Sequence, residues 1–500
     1  MNVGNADPPS PETWPSVTEM STLRIEGGTL ISMDPERRII DDAVLVIDGD
    51  RITAVGSRAD IPPATDNDAC IDARRMAVLP GLIDCHAHAG HGLVKSLGAD
   101  DGDAWYQACE AFYTRASSED FWAAEASLAS LERLKFGVTN GVSLFGGGDS
   151  ILRTDDPVFA ARHCEAVEKV GIRNCLAVGP CRPPFPRQFL RWKGQKSRMT
   201  EISFDDQLAT CATLIDQWHG AAAGRIQIGI VSPTIRAEHS DGLQSDASGL
   251  QELHSQARAA RNLSRDHGLL FTQDGHTRGS VQYAHDVLDI LGPDALLSHS
   301  TDLSGAEIAI CAETDTRIVH NPSAIASIRG RCPVPELLDA GVTVAIGSDA
   351  TAPDRSGDMF RHMQQCMHYH RRHFRDPGVI PPGKALEMVT IDAARALGVE
   401  RDIGSLEVGK KADVILVDLC KAHLMPLHMP LYRIAYFANG SDVDTVIVDG
   451  RVLMRAREVL TVDEQEILDT AHAEAERALE RANLKHLLNM PESVWGRSHY

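Results

Sequence analysis

Two histidines, His86 and His88, stand one residue apart at the end of an apolar run that begins at Val78. Side chains alternate between the two faces of a strand, so both imidazoles point the same way, about 7 Å apart along the backbone. Neutral imidazole nitrogens bind divalent transition metals. The run is therefore a candidate metal-binding strand, although a strand that ends in two surface histidines has the same pattern.

The composition favours a small-molecule partner. A formal net charge of −21 disfavours binding to nucleic acid or to an anionic membrane surface. No apolar run is long enough to cross a bilayer, and residues 1–9 have neither a basic start nor an apolar signal core, so we expect a cytoplasmic protein with no membrane partner. Eleven cysteines without a CxxC pair indicate reduced core residues.

Beyond His88, helix-spaced apolar segments alternate with short strand candidates over about 300 residues. Repeated strand and helix units predict an α/β fold with a parallel sheet, and at this length a (β/α)8 TIM barrel. The strand candidates are 138–142, 225–231, 269–272, 296–299, 317–320 and 343–347. Chemistry in such barrels gathers at the carboxyl ends of the strands, where His299 and Asp349 join the two histidines.

Both ends of the chain carry further strand patterns. We expect residues 23–79 and 405–460 to form one small composite β-sandwich domain beside a catalytic barrel over residues 80–404. Residues 1–22 are predicted to be a mobile tail, and residues 461–500 a C-terminal helix that contacts a neighbouring subunit in a homo-oligomer, a dimer or larger.

Four motifs in this order give the chain a wider likeness: residues 80–88, His299, residues 347–349 and residues 404–413. On these motifs the chain resembles the amidohydrolase superfamily, in the branch of cytosine and guanine deaminases and triazine hydrolases, near the phenylurea and thiocarbamate hydrolases. The likeness spans residues 23–455. It implies a TIM barrel with a composite β-sandwich and one divalent ion, Zn²⁺ first, with Fe²⁺ or Co²⁺ as alternatives. The implied ligands are His86, His88, Gln273, His299 and Asp349.

The sequence departs from that branch at strand 5, where the usual His-x-x-Glu appears as residues 273–276. Gln273 replaces the metal-binding histidine, and His276 stands where the glutamate would pass protons to the leaving group. Asp302 occupies the place of a second strand-6 histidine, and the strand-7 motif becomes apolar at residues 324–325. These changes disfavour a site that hydrogen-bonds a heteroaromatic amidine.

The resemblance also assigns roles. Asp349 is expected to be the base that takes a proton from water, His299 to steady the oxyanion, and His276 to relay the proton to the departing nitrogen. Three further residues are expected near the substrate: Asp302, Trp105 and Arg187. His362, His368, His370 and His373 fall on a helix after strand 8 and are expected to be solvated or at an interface.

Three functions remain open. The first is a metal-dependent hydrolase of a non-peptide C–N bond in an amide, urea or carbamate, because the deaminase glutamate is missing. The second is a deaminase of a heteroaromatic amine of purine, pyrimidine or triazine type, with His276 in place of glutamate. The third is a metal-poor, non-catalytic scaffold.

Overall fold

The computed structural model describes residues 22–98, 101–148, 151–235, 247–323, 330–349 and 356–497 of the chain. The predicted tail over residues 1–22, apart from Thr22, and the apolar pair at residues 324–325 lie outside these ranges.

The strands are β1 (Thr22–Ile31), β2 (Ile39–Asp48), β3 (Arg51–Ser57), β4 (Ala69–Asp72), β5 (Met76–Pro80), β6 (Leu82–His88), β7 (Val138–Leu144), β8 (Gly146–Gly147), β9 (Ile151–Leu152), β10 (Arg173–Val178), β11 (Arg187–Lys193), β12 (Lys196–Ile202), β13 (Ile226–Val231), β14 (Phe271–Gln273), β15 (Ala295–Ser298), β16 (Arg317–His320), β17 (Val344–Ile346), β18 (Val414–Asp418), β19 (Val443–Val448), β20 (Arg451–Arg455) and β21 (Glu458–Val459).

The α-helices are α1 (Gly102–Ala111), α2 (Glu119–Lys135), α3 (Pro157–Val170), α4 (Phe204–Trp218), α5 (Ala221–Gly224), α6 (Ala247–His267), α7 (Ser280–Tyr283), α8 (Gly305–Glu313), α9 (Val334–Asp339), α10 (Met359–Phe374), α11 (Pro382–Glu387), α12 (Ile391–Ala396), α13 (Pro430–Tyr436) and α14 (Glu464–Ala482).

Eight parallel strands form the predicted barrel, in the order β17, β16, β15, β14, β13, β10, β7 and β6. The first and last strands of this order lie side by side, and the backbone N–H of Asp349 donates to the carbonyl of His86 at 2.7 Å. Every residue of β6 and β7 is buried, as expected for strands covered on both faces. The TIM-barrel prediction is confirmed.

The two ends of the chain share one nine-stranded sheet. Its strands run β21, β20, β19, β18, β5, β1, β2 and β3, with β4 paired to β1. The antiparallel pairing of β18 with β5 joins the C-terminal part to the N-terminal part, with Val414 opposite Pro80. The composite β-domain is thereby confirmed, while its exact limits stay a prediction.

Helix α14 lies against its own chain. Asp463 caps its N-terminus by accepting from the backbone of Gln465 and Glu466, and the helix ends at Asn483 in the left-handed conformation. It packs on α2, where Lys135 Nζ lies 2.8 Å from Glu464. No helix in the described ranges has both the length and the apolarity to cross a membrane.

A buried ion cluster joins the barrel to the chain-end sheet. Arg173, the first residue of β10, donates through Nε to Asp413 at 2.7 Å and through Nη2 to Asp449. Both carboxylates are almost fully buried, and Asp449 also faces Arg225 and Lys411. A buried ion pair that loses one partner leaves an uncompensated charge in a poorly solvated place.

We therefore expect Arg173→Met to destabilise the fold by about 3 kcal/mol, since breaking a buried pair costs about 3–5 kcal/mol and two other cations remain near Asp449. Urea unfolding followed by circular dichroism measures the change. The matched control is Arg162→Met, which removes a partly exposed pair with Glu165 and should cost less than about 1 kcal/mol. Equal losses in the two variants would contradict a joining role for Arg173.

Candidate functional site

Five side chains from four strand ends converge at the carboxyl end of the barrel. His86 and His88 come from β6, Asp274 follows β14, His299 follows β15 and Asp349 follows β17. Each imidazole places its Nε2 atom 3.0 to 3.6 Å from a carboxylate oxygen of Asp274 and one of Asp349. The structure thus brings together four of the five predicted ligands.

Asp274 occupies the place among the imidazoles that the sequence analysis predicts for Gln273 as a metal ligand. The Gln273 amide donates to the carbonyl of Pro233 at 2.9 Å, and its oxygen lies 3.2 Å from His276 Nε2, so both polar ends of the side chain have partners away from the three imidazoles. Asp274 Oδ1 instead lies 3.0 Å from His299 Nε2 and accepts from Ser298 Oγ at 2.6 Å. The carboxylate that the sequence analysis missed directly follows the last residue of β14.

Neighbouring groups orient the imidazoles. His88 Nδ1 donates to the carbonyl of Gly146 at 2.9 Å, which fixes the ring with Nε2 toward the two carboxylates. Asn321 lies 3.5 Å from His299 Nδ1. Both nitrogens of His86 are buried, and neither has a hydrogen-bond partner within the described ranges.

A fully buried carboxylate, Asp84, fixes the frame around these groups. Its two oxygens accept from the backbone N–H and the hydroxyl of Ser348, at 2.9 and 2.7 Å, and Arg133 Nη2 donates to it at 2.9 Å. Arg133 also donates to Ser143 on β7. Its guanidinium group packs against Gly141, where a Cβ would lie 2.5 Å from the guanidinium carbon. Asp84 thereby ties the ligand-bearing strand β6 to the residue before Asp349.

The backbone is strained where two of the five groups are held. His299, Ser300 and Asp349 have φ of +64°, +49° and +50°, a region that residues with a Cβ adopt rarely. Gly347 has no room for a side chain, since a Cβ there would lie 2.5 Å from Asn321 Oδ1 and 2.7 Å from the Cβ of His86. Strain of this kind persists only where the surrounding contacts hold it, and it clusters at functional sites.

The electrostatics keep both carboxylates ionised. Burial raises the pKa of Asp349, but the charge of His299 and the neighbouring imidazoles of His86 and His88 outweigh burial and bring its pKa well below the usual range. Burial likewise opposes ionisation of Asp274, and the hydrogen bond from His299 with the neighbouring imidazoles lowers its pKa. Burial lowers the pKa of His88, yet its bond to Asp349 and the charge of Asp274 raise it overall.

This arrangement fits a divalent metal ion. Ligand atoms that lie 2.0–2.2 Å from one ion are about 3.0–3.4 Å apart, close to the distances between the imidazole and carboxylate atoms here. The groups His86, His88, Asp349 and His86, Asp274, His299 each place one ligand atom per residue within 4.8 Å of the others. The unpartnered nitrogens of His86 are the buried polar atoms that such an ion would satisfy.

The structure places the proposed proton relay, His276, beside the five groups rather than among them. Its Nδ1 lies 2.8 Å from Ser280 Oγ and its Nε2 3.2 Å from Gln273. The residue is buried, with 1% of its surface exposed. Although His276 follows strand 5 in the chain, its two ring nitrogens therefore face Ser280 and Gln273.

The three residues expected near the substrate differ in position. Trp105 lies in α1, with its ring 4.8 Å from that of His91, which in turn lies 4.7 Å from the His88 ring. Asp302 is exposed, and it accepts from the backbone N–H of Arg331 at 3.0 Å. Arg187 begins the hairpin of β11 and β12, which the sequence analysis did not predict. Only Trp105 is thus linked by ring contacts to one of the five groups.

Comparisons with known proteins agree with this geometry. Residues 77–453 match the Amidohydrolase family model. The chain is 33% identical over 438 residues to the 5-methylthioadenosine/S-adenosylhomocysteine deaminase of Moorella thermoacetica, covering 86% of this chain and 94% of that protein. It is 29% identical over 474 residues to the 5'-deoxyadenosine deaminase of Methanosarcina mazei, covering 93% and 100%.

A solved structure shares the fold. The adenosine deaminase from Xanthomonas campestris with bound zinc superposes with a TM-score of 0.75 at 23% identity, over 92% of this chain and 98% of that one.

We expect Asp84→Asn to lower the affinity of the site for a divalent ion by about 10–100-fold, the usual effect of losing a group that orients metal ligands. The neutral amide cannot compensate Arg133 or accept both bonds from Ser348. Isothermal titration with Zn²⁺ measures the change. Asp402→Asn, at an exposed carboxylate, is the matched control and should leave the affinity unaltered. An unchanged affinity in Asp84→Asn would show that β6 and the Asp349 turn hold their positions without this bond.

Proposed function

Because the chain belongs to the amidohydrolase family, we propose that it binds one divalent ion and hydrolyses a C–N bond of the amide, urea or carbamate type in a small molecule. The observation that carries this proposal is the convergence of three imidazoles and two ionised carboxylates at the carboxyl end of the barrel. The residues that would hold the ion are His86, His88, Asp274, His299 and Asp349.

A divalent ion supplies positive charge that lowers the pKa of a water molecule and polarises a carbonyl. Zn²⁺ suits the three imidazoles, while the two carboxylates make the donor set harder and keep Fe²⁺ and Co²⁺ as alternatives.

Asp349 is the base in this proposal. Its carboxylate is buried and ionised, and it lies within 3.6 Å of all three imidazoles, so it can take a proton from a water molecule at their centre. The same carboxyl group can then pass that proton to the departing nitrogen, because a leaving amine needs protonation. His299 faces the same space and can stabilise the negative oxygen that develops on the carbonyl.

The substrate type follows from what surrounds His276. In the deaminases that the chain resembles, a glutamate three residues after the strand-5 ligand passes protons to the leaving group. Here His276 holds that position, and its nitrogens contact Ser280 and Gln273. Because His276 is held by these contacts, hydrolysis of an amide, urea or carbamate, where Asp349 alone can move the proton, fits the residues better.

The second candidate is the deaminase, and the named relatives favour it. Two of them act by name on 5'-deoxyadenosine and on 5-methylthioadenosine or S-adenosylhomocysteine. In this case His276 would have to leave its contacts with Ser280 and Gln273 to reach the substrate. The metal-poor scaffold has less support, since the five groups and their orienting bonds are all retained.

We also propose a homo-oligomer. Large apolar side chains are exposed together around α13, at 45% for Leu427 and Tyr432, 56% for Met429 and 57% for Phe437. Contiguous apolar surface of this kind is typical of a protein interface. The cytoplasmic location stays a prediction.

A substrate panel separates the two candidate functions. We expect the zinc-loaded protein to release an amine from N-aryl or N-alkyl ureas or carbamates, measured by chromatography, and no ammonia from 5'-deoxyadenosine or 5-methylthioadenosine. Asp349→Asn should bind the ion yet lower turnover by about 10²–10⁴-fold, which excludes a contaminating hydrolase. Ammonia release that falls in parallel in this variant would establish the deaminase instead.

Neighbouring substitutions test the ligand set. Asp274→Ala should lower the Zn²⁺ affinity by more than about 100-fold, because even groups that only orient ligands are worth about 10–100-fold. Gln273→Ala, one residue earlier, should change it by less than about tenfold, since its amide contacts Pro233 and His276. Calorimetric titration of both variants gives the comparison. The reverse order of effects would restore Gln273 as the ligand.

A further inference from the structure

A second group of metal-ligating side chains lies in the barrel wall: His320, Cys366 and His370. One ligand atom from each, a ring nitrogen of either histidine and the cysteine Sγ, lies within 4.8 Å of the other two. None of the three belongs to the five groups of the candidate active site. We propose that they form a second metal site, which takes a divalent transition metal of the zinc type.

The elements of the fold set this geometry. His320 is the last residue of β16, and Cys366 and His370 lie four residues apart on α10. Residues at that spacing lie one above the other on a single face of a helix, so both side chains point toward the end of β16. Ligand atoms around one zinc ion are about 3.3–3.8 Å apart, so the three atoms would approach one another by up to about 1.5 Å on binding one ion.

The nitrogens of this cluster are buried and lack the bonds that buried polar atoms usually have. His320 is 4% exposed, and His370 and Cys366 are fully buried. In the part of the chain that the structure describes, neither nitrogen of His370 nor Nε2 of His320 has a hydrogen-bond partner. The two rings lie 5.3 Å apart with only ring contacts between them. A metal ion would satisfy atoms that are otherwise desolvated without compensation.

The surrounding charges permit a cation. Burial lowers the pKa of His370 to about 4 and that of His320 well below its usual value, which favours neutral rings with a lone pair available to a metal. Arg331 is the nearby cation that also disfavours a charged His370, and its guanidinium is paired with Glu336. Burial raises the pKa of the Cys366 thiol to about 12, so Cys366 would bind as the thiolate only as the metal displaces its proton, which would pass to solvent.

The ligand chemistry distinguishes this site from the active site. Thiolate with two imidazoles favours Zn²⁺, Co²⁺ or copper, whereas the active site offers imidazoles and carboxylates and no sulfur. Three protein ligands leave a fourth position for water. The ion would tie β16 to α10, next to Asn321, which contacts His299.

Cobalt titration of the full-length apoprotein tests the site. Thiolate bound to Co²⁺ gives a charge-transfer band in the near ultraviolet, which a site of imidazoles and carboxylates cannot give. We expect the wild-type protein to develop this band with one equivalent of Co²⁺, beyond the equivalent held at the active site. A wild-type titration without the band overturns the proposal, whatever the variants do.

Three variants locate the band. Cys366→Ser should abolish it, and Cys211→Ser, at another buried cysteine on α4, should retain it. The double variant His86→Ala/His88→Ala should lose one equivalent of Co²⁺ but keep the band, so a failure of the active-site proposal leaves this result distinct. If the band survives in Cys366→Ser, another cysteine is the ligand and the assignment is wrong.

A stability measurement gives a second readout. Added Zn²⁺ should raise the Tm of the His86→Ala/His88→Ala variant through binding to the folded state only. The same addition should leave the Tm unchanged once Cys366→Ser is combined with these substitutions. An equal rise in both proteins would contradict a metal site at this cluster.

Discussion

The bond between Asp84 and Ser348 carries the geometry of the candidate active site. The strands β6 and β17 are the two ends of the barrel's strand order, and the sheet pairs neither with the other. Their positions are set instead by Asp84, by the backbone bond from Asp349 to His86, and by Arg133, which neutralises the buried carboxylate. Burial opposes ionisation of Asp84, but Arg133 and Ser348 lower its pKa, so the charge that makes these bonds strong is maintained.

This bond explains how a strained turn can hold a base. Asp349 has a left-handed backbone, which an isolated turn would not favour for an aspartate flanked by a serine. The Asp84 contact with Ser348 and the tight space around Gly347 hold the backbone of this turn in its left-handed conformation. The carboxylate is therefore positioned before any ligand arrives, which is the condition for a group that acts on water at a fixed place.

The sequence predicted four of the five groups, His86, His88, His299 and Asp349, and missed Asp274. His86 and His88 follow from the period of two residues in a strand, and His299 and Asp349 from the rule that strand ends share one edge. Asp274 directly follows β14 and obeys the same rule, but the motif spacing of the relatives predicts Gln273 instead, and the chain then turns through Gly275, with φ of +81°. Which side chain points inward beyond a strand end depends on that turn, and the motif spacing of relatives does not supply it.

Helix α10 shows a different kind of error. The sequence predicts that His362 and His370 are solvated or at an interface, yet both are fully buried within the chain. Five of the seven buried positions of α10 have the spacing of a helix face that packs on a core: Met359, Met363, Cys366, Met367 and His370. In this helix the spacing, more than the residue type, indicates which of these positions are buried. The helical spacing of apolar residues by itself predicts that His370 is buried in the core, although it does not predict which groups contact its ring nitrogens.

The two-residue period of strand β6 also indicates that Asp84 is an unusual residue. It lies two residues before His86 in an apolar strand, and a charged residue there must be paired if it is buried. Its partners, Arg133 and Ser348, are separated from it by 49 and 264 residues, so no local pattern identifies them. The residue could be singled out from sequence, whereas its role required the closed barrel.

The replacement of an expected glutamine ligand by a carboxylate changes the charge balance of the proposed centre. Three neutral imidazoles with two carboxylates carry a charge of −2, which cancels that of a divalent ion, whereas one carboxylate and an amide would leave an excess of +1. A smaller excess polarises water and substrate less, so more of the proton transfer falls to the protein. Asp349, ionised and within reach of all three imidazoles, is the group that can supply it. The chemistry favoured here thus depends on a carboxylate that acts as base and then as acid, rather than on a separate acid after strand 5.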